Sequence, residues 1–174
     1  MEKATELGVA ALHPVVTERV QGRQQGDGAE DMSKLQTISI EASEQSDRLT
    51  VPVVEPAQSL EAAVANLIAK GALVSFFVCE ERSDATVPLL DALASDRRSN
   101  DSSSANRIDA FLVGPEGGWA PGELDRVLNG VVDSDRVRLW RVSLGPGILR
   151  AETASLYALA TWNAFQHSRE ELLR

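Results

Sequence analysis

The sequence predicts an α/β fold built on a parallel sheet, and three observations lead there. Short apolar runs bounded by turn residues alternate with amphipathic segments, the pattern of strands joined by crossover helices. The apolar mass is mostly Ala, Val and Leu, with aromatics at only 5%, which suits strands covered on both faces. Two loops rich in Gly and Pro each follow an apolar run and each precede a helical segment. Ligand sites of open α/β sheets lie at that carboxyl edge.

Taken in order, EKATELGV reads as the end of a helix, with Glu2, Lys3 and Glu6 outward, Ala4 and Leu7 inward and Gly8 as the stop. A chain that opens inside a helix suggests that part of that helix lies further upstream. LHPVV (12–16) is a strand. QGRQQGDGAEDM (21–32) is polar, Gly-rich and aperiodic, a flexible insertion. Ser33 caps a helix to Ser46 with Leu35, Ile38, Ala42 and Gln45 along one side. VPVV (51–54) is a short buried strand. SLEAAVANLIAKG is an amphipathic helix capped by Ser59 and stopped by Gly71. ALVSFFVC (72–79) is a central strand. DRRSNDSSSANR (96–107) is a second low-complexity loop, disordered on composition. IDAFLV (108–113) is a strand. PGELDRVL (121–128) is a helix with Pro in its first turn, Glu123 at its positive end and Gly130 behind it. RVRLWRV (136–142) is a strand. The last helix runs from Ala151 to Leu173, and its first half (Ala154, Leu156, Ala158, Leu159, Trp162, Phe165) is apolar nearly all round, as at a buried site or an interface.

Composition narrows the function classes. A chain of 174 residues forms one domain with a core, and 43% hydrophobic with 25% charged residues is a globular balance. The single cysteine, Cys79, allows no intrachain disulfide and points to a reducing compartment; ending an apolar run, it reads as a buried small hydrophobe. His13 and His167 lack ligand-spaced partners, so no metal site is expected. No apolar run approaches the ~20 residues of a membrane helix, and no leader pattern opens the chain. Cytoplasm is the expected location, or a mitochondrion or plastid in a eukaryote. A net charge of -9 argues against a self-sufficient nucleic-acid binder. It leaves RNA open as a substrate, because another domain can carry the basic surface.

The two loops are GPEGGW (114–119) and SLGPGIL (143–149). Neither matches GxGxxG or GxxxxGK[ST], the dinucleotide and triphosphate patterns. Glu116 would repel a phosphate, whereas Gly114, Gly117, Gly118, Gly145 and Gly147 let backbone approach a ligand closely. Backbone donors and acceptors without a cation suit an uncharged heterocycle such as adenine with its ribose. The plainer reading of each loop is a tight turn, and for Trp119 it is packing beneath the loop. ILRAETA follows. Glu152 suits a helix start, but Arg150 at the same positive end opposes the dipole and needs a partner such as Glu116 or a substrate.

LVGPEGGW and LGPGILRAETA, with KATELGV (3–9), TER (17–19) and EASEQSDR (41–48) upstream, resemble the RsmE family of ribosomal RNA uridine methyltransferases in the SPOUT superfamily. The motifs stand in the family's order across nearly the whole chain. The resemblance implies a SPOUT-type parallel sheet flanked by helices with a C-terminal trefoil knot, in one domain over 1–174. It implies a homodimer that binds S-adenosylmethionine and methylates ring nitrogen 3 of a uridine in small-subunit rRNA or a pre-ribosomal particle. The implied cofactor residues are Leu112, Gly114, Pro115, Glu116, Gly117, Gly118, Leu139, Leu144, Gly145, Ile148, Leu149 and Thr153. Arg150 and Glu152 are the implied catalytic candidates, and Glu44, Gln45 and Arg48 the RNA contacts. Two departures stand out. These 174 residues do not include the family's N-terminal PUA-like RNA-binding barrel or the first strand of its knotted domain, and Gly147 stands where many relatives have a larger, often basic residue. A cofactor-binding or dimerisation subunit impaired in catalysis is therefore the alternative.

Overall fold

The computed structural model describes residues 1–19, 28–80, 85–98, 107–115, 117–130 and 135–172. In chain order the elements are α1 (Glu2–Glu6), β1 (Ala11–Leu12), β2 (Val15–Val16), α2 (Gly28–Gln45), β3 (Val53–Val54), β4 (Gln58–Ser59) and α3 (Leu60–Ala69). There follow β5 (Leu73–Cys79), β6 (Val87–Pro88), α4 (Leu89–Arg98), β7 (Arg107–Val113), α5 (Glu123–Asn129), β8 (Val137–Ser143) and α6 (Ala151–Leu172).

The main sheet has the order β6-β8-β5-β7, and every pairing in it is parallel. β1 with β3 and β2 with β4 form two further short parallel pairs. Register places Cys79 opposite both Val113 and Val142. The carboxyl ends of the three longest strands therefore finish level.

Side chains alternate across a strand, so each strand feeds two cores. Val74, Phe76 and Val78 of β5 join Leu60, Val64, Leu124 and Leu128 of α3 and α5 on one face. Phe77 joins Leu89, Leu93, Ala154 and Ala158 of α4 and α6 on the other. Helix α3 keeps its expected limits: the Ser59 hydroxyl accepts from the Ala62 N–H at 3.2 Å, and Gly71 takes φ +72° behind the last turn. Such a cap contributes about 1 kcal/mol.

Four expectations change. Helix α2 begins at Gly28, so the insertion expected over 21–32 ends earlier and Ser33 lies inside the helix, where its carbonyl accepts from Thr37; composition alone hid residues of good helix propensity. The buried side of α2 carries Ser39, Ala42 and Ser43, while Ile38 is exposed. The serines satisfy their hydroxyls on the carbonyls of Leu35 and Ser39 one turn back, which lets polar residues occupy that face. The strand at 51–54 is shorter and less buried, with Val51 and Val53 exposed, because its pair with β1 is an edge of two residues. Finally, α4 occupies a stretch to which no helix was assigned, and it takes in Asp96 and Arg97 from the supposed second loop; residues 99–106 lie outside the described residues.

The ends of that supposed loop form a buried ion network. Asp96 (1% exposed) accepts from Ser75 and from the Trp140 indole at 2.9 Å, and pairs with Arg107. Asp109 pairs with Arg107 at 2.9 Å and with Arg97, and accepts from the Trp162 indole at 2.8 Å. Arg107 also donates to the Ser75 hydroxyl. The network ties α4 and α6 to β5, β7 and β8 toward the amino ends of the strands, away from the loop-bearing edge.

Candidate functional site

A cleft of about 600 Å³ opens where β5, β7 and β8 end level. Its walls are Cys79 and Glu80 after β5, Val113, Gly114, Pro115, Gly118 and Trp119 after β7, and Leu144, Ile148, Leu149 and Arg150 after β8. Ala151 and Ala154 of α6 complete it. A volume of this size lies within the ~300–1,000 Å³ of small-molecule sites. The lining is mostly apolar or backbone, and Glu80 and Arg150 are its charged members.

The first loop is shaped by three glycines. A Cβ on Gly114 would stand 2.8 Å from the Trp119 Nε1, so only glycine lets the indole lie against that backbone. The Gly118 N–H donates to the Pro115 carbonyl at 2.8 Å and closes a turn with Gly118 at φ +67°, a conformation that costs a residue with Cβ. Gly122, at φ +73°, starts α5. Trp119 packs against the α3–α5 core while bordering the cleft, which gives the indole its role. Gly117 is exposed, and its carbonyl accepts from Arg19. Glu116 and its proposed pairing with Arg150 lie outside the described residues.

In the second loop Gly145 takes φ +125° and exchanges weak 3.3 Å hydrogen bonds with the Ser143 hydroxyl. Leu144 is buried, while Ile148 is 64% exposed at the cleft rim. An exposed isoleucine on a concave wall is apolar area that a ligand would cover.

Several predicted site residues sit elsewhere. Leu112 and Leu139 pack their side chains on the α3–α5 face; the period of two sends Val113, not Leu112, toward the cleft. Glu152 and Thr153 are exposed in the first turn of α6 and do not line the cleft. On a helix Arg150, Ala151 and Ala154 share a side that those two positions leave. Glu152 therefore stands at the positive end of the helix, where a carboxylate is favoured. Arg150 is exposed, borders the cleft and makes no side-chain ion pair among the described residues.

Arg48 is a structural residue. Its guanidinium donates to the carbonyls of Thr5 (2.6 Å) and Val9 (3.0 Å), fastening the end of α1. Glu44 and Gln45 line a separate groove with Glu2, Glu6, Ile38, Glu41 and Ala42, whose carboxylates would repel a phosphate backbone. The basic member of the motif, Arg48, is engaged with the end of α1 rather than with this groove.

Two further wall residues, Cys79 ending β5 and Glu80 following it, stand without a motif that marks them as site residues. Arg141 holds both Glu80 oxygens at 2.9 and 2.8 Å and also pairs with Asp125. The hydrogen bond to the Glu80 carboxylate raises the Arg141 pKa. Burial pushes the Cys79 thiol up to about 12, which keeps it protonated at neutral pH; it is a wall of the cleft, not a nucleophile. The alternation of IDAFLV could have pointed to Val113, but nothing local marks Glu80. Among the described residues no group of three or more His, Cys, Asp or Glu could hold a metal ion, and no helix is long and apolar enough to cross a membrane.

Comparison with known proteins adds to this geometry. The sequence profile of an RNA methyltransferase domain matches residues 1–163. Ribosomal RNA small subunit methyltransferase E of Rickettsia conorii is 30% identical over 157 residues, 90% of this chain and 54% of the relative. Its counterpart in Synechocystis is 32% identical over 167 residues, 94% of this chain and 48% of the relative. The chain thus spans about half the length of the curated relatives it matches. Among solved structures, ribosomal RNA small subunit methyltransferase E from Neisseria gonorrhoeae, bound to S-adenosyl methionine, superposes with a TM-score of 0.68 at 29% identity, covering 94% of this chain and 58% of that one. A Legionella pneumophila protein described as a methyltransferase, in complex with the same cofactor, gives 0.69 at 26% identity over 94% of this chain and 58% of that one.

Proposed function

The chain belongs to the RNA methyltransferase domain family, and from that premise we propose that it transfers a methyl group from S-adenosylmethionine to ring nitrogen 3 of a uridine in small-subunit ribosomal RNA. The observation that carries the reading is the cleft itself. Two Gly/Pro loops meet at the carboxyl edge of a parallel sheet and offer close backbone, apolar walls and, among the described residues, no anion-binding lysine. Adenosine fits such a lining, since it carries no phosphate. The two similar structures whose descriptions name that cofactor support the same choice.

Gly114, Pro115, Gly118, Leu144, Ile148 and Leu149 would hold the nucleoside, with Trp119 and Cys79 closing the walls. The cofactor supplies an electrophilic methyl on a sulfonium. The uridine imide would lose its N3 proton to solvent, leaving negative charge on the base oxygens, and the methyl would pass to N3 as the S–CH3 bond breaks and S-adenosylhomocysteine leaves. Arg150, uncommitted among the described residues and positioned at the cleft, would stabilise that charge, as fixed cations do for anionic transition states. Glu80, held in place by Arg141, would accept from hydroxyl or ammonium groups of a bound ligand. An exposed or flipped uridine is required, because its ring nitrogen is buried in a paired stem.

The same reading extends to a C-terminal trefoil knot around the two loops and to a homodimer that uses the half-exposed Tyr157 side of α6. Calorimetry with S-adenosylmethionine tests the cofactor. Methyl transfer to small-subunit rRNA, with the product nucleoside identified by mass spectrometry, tests the substrate atom. A folded sample that releases no heat with the cofactor would sink the proposal.

A further inference from the structure

Thr17-Glu18-Arg19 has no part in the chemistry above, yet it reaches a loop 98 residues further along the chain. We infer that this tripeptide is a clamp that sets the shape of the first cleft loop, with Arg19 as its positioning residue. The inference rests on the proposed cofactor site and adds a residue outside it.

The clamp has two points of attachment, preceded by the buried Thr17 at 3% exposure. The Glu123 carboxylate, 2% exposed, accepts from the Glu18 N–H with one oxygen and from the Ala120 N–H with the other, both at 2.8 Å. One buried side chain thus joins the tripeptide to the loop at the start of α5. Arg19 then donates to the Gly117 carbonyl, and its guanidinium would stand 3.6 Å from a Cβ on Gly118. It therefore lies across the Gly117–Gly118 peptide. Outside these points Glu18 and Arg126 form an exposed ion pair, which adds little.

Arg19 does not line the cleft, whereas Pro115, Gly118 and Trp119 do. It acts through the peptide plane: by fixing the Gly117 carbonyl outward, it keeps Gly118 in its left-handed turn and Trp119 against Gly114. A loop of glycines has many alternative conformations, and a ligand that needs one of them binds more tightly when that one is already selected.

The test uses the intact chain as wild type, Arg19→Ala and Arg19→Lys. Amide hydrogen exchange of residues 117–120 is read without cofactor, and S-adenosylmethionine affinity is read by calorimetry. Arg19→Ala is expected to speed exchange of those amides several-fold, with β5 amides and the melting temperature unchanged. Affinity falls about fivefold, the scale of one ordinary hydrogen bond, as suits an exposed contact acting through the loop. Arg19→Lys keeps a donor and recovers part of both effects. Wild-type exchange at 117–120 in Arg19→Ala overturns the clamp, and faster exchange with unchanged affinity overturns its link to the ligand. If the wild type itself binds no cofactor, the methyltransferase reading fails while the exchange measurement still decides the clamp.

Discussion

The Trp119 indole occupies the space that a side chain on Gly114 would fill, with Nε1 only 2.8 Å from the position of its Cβ. Two residues of the same loop thereby specify one another. Gly114→Ala must push the ring away from both the α3–α5 core and the cleft. Overpacking of this kind costs about 1–3 kcal/mol. A shift in tryptophan emission and at least a tenfold weaker S-adenosylmethionine affinity by calorimetry are expected. Unchanged emission and affinity would show that the contact is dispensable.

Arg150 should matter to chemistry more than to folding. It is exposed and makes no side-chain ion pair among the described residues, so Arg150→Ala leaves the melting temperature within a degree or so. Loss of an electrostatic group aimed at a developing charge costs about 10²–10³ in rate. Methyl transfer to small-subunit rRNA should fall by that factor, with cofactor affinity changed by less than a few-fold. Equal losses in both would assign Arg150 to binding instead.

The ion network predicts the opposite profile. Asp96→Ala strips Arg107 of one partner in a site where both are almost fully buried. Breaking one side of a buried pair costs about 3–5 kcal/mol. Urea unfolding should reveal a loss of that size, and a change under about 1 kcal/mol would mean that Asp109 alone satisfies Arg107.

His13 gives the fold an acid-sensitive point. Burial lowers its pKa below the ordinary 6.5, Lys70 adds to this, and Glu55 opposes it. Neither ring nitrogen has a hydrogen-bond partner among the described residues. The folded state thus prefers the neutral ring, while the unfolded chain takes up the proton more readily. The stability contribution is present above about pH 6.5 and is lost as pH falls from there through the lowered folded value. The melting temperature should drop between about pH 7 and 5.5, and His13→Gln should flatten that slope. An identical slope in the variant would remove His13 from the account.

What the sequence made legible was local. Helix α3 was readable because its cap and stop are neighbours of its own turns, and the cleft loops because Gly and Pro punctuate the ends of strands. Long-range partners were not. Asp96 and Arg107 looked like two ends of a polar loop, since nothing between them signals that they meet across α4 and β7. Nothing local to Arg48 signals that its guanidinium meets the carbonyls of Thr5 and Val9, 43 and 39 residues away. Leu112 and Val113 differ in fate only through the parity of β7, which sequence resemblance by position does not resolve.

The network of Asp96, Arg107 and Asp109 lies toward the amino ends of the strands, and the cleft lies at their carboxyl ends. Mutation can therefore explore the loops without touching the charges that hold α4 and α6 to the sheet. A duplicated copy of this gene could trade one nucleoside-like ligand for another through the 114–119 and 143–149 loops alone. What fastens α4 and α6 to the sheet and what shapes the rim are thus kept at opposite ends of the same strands.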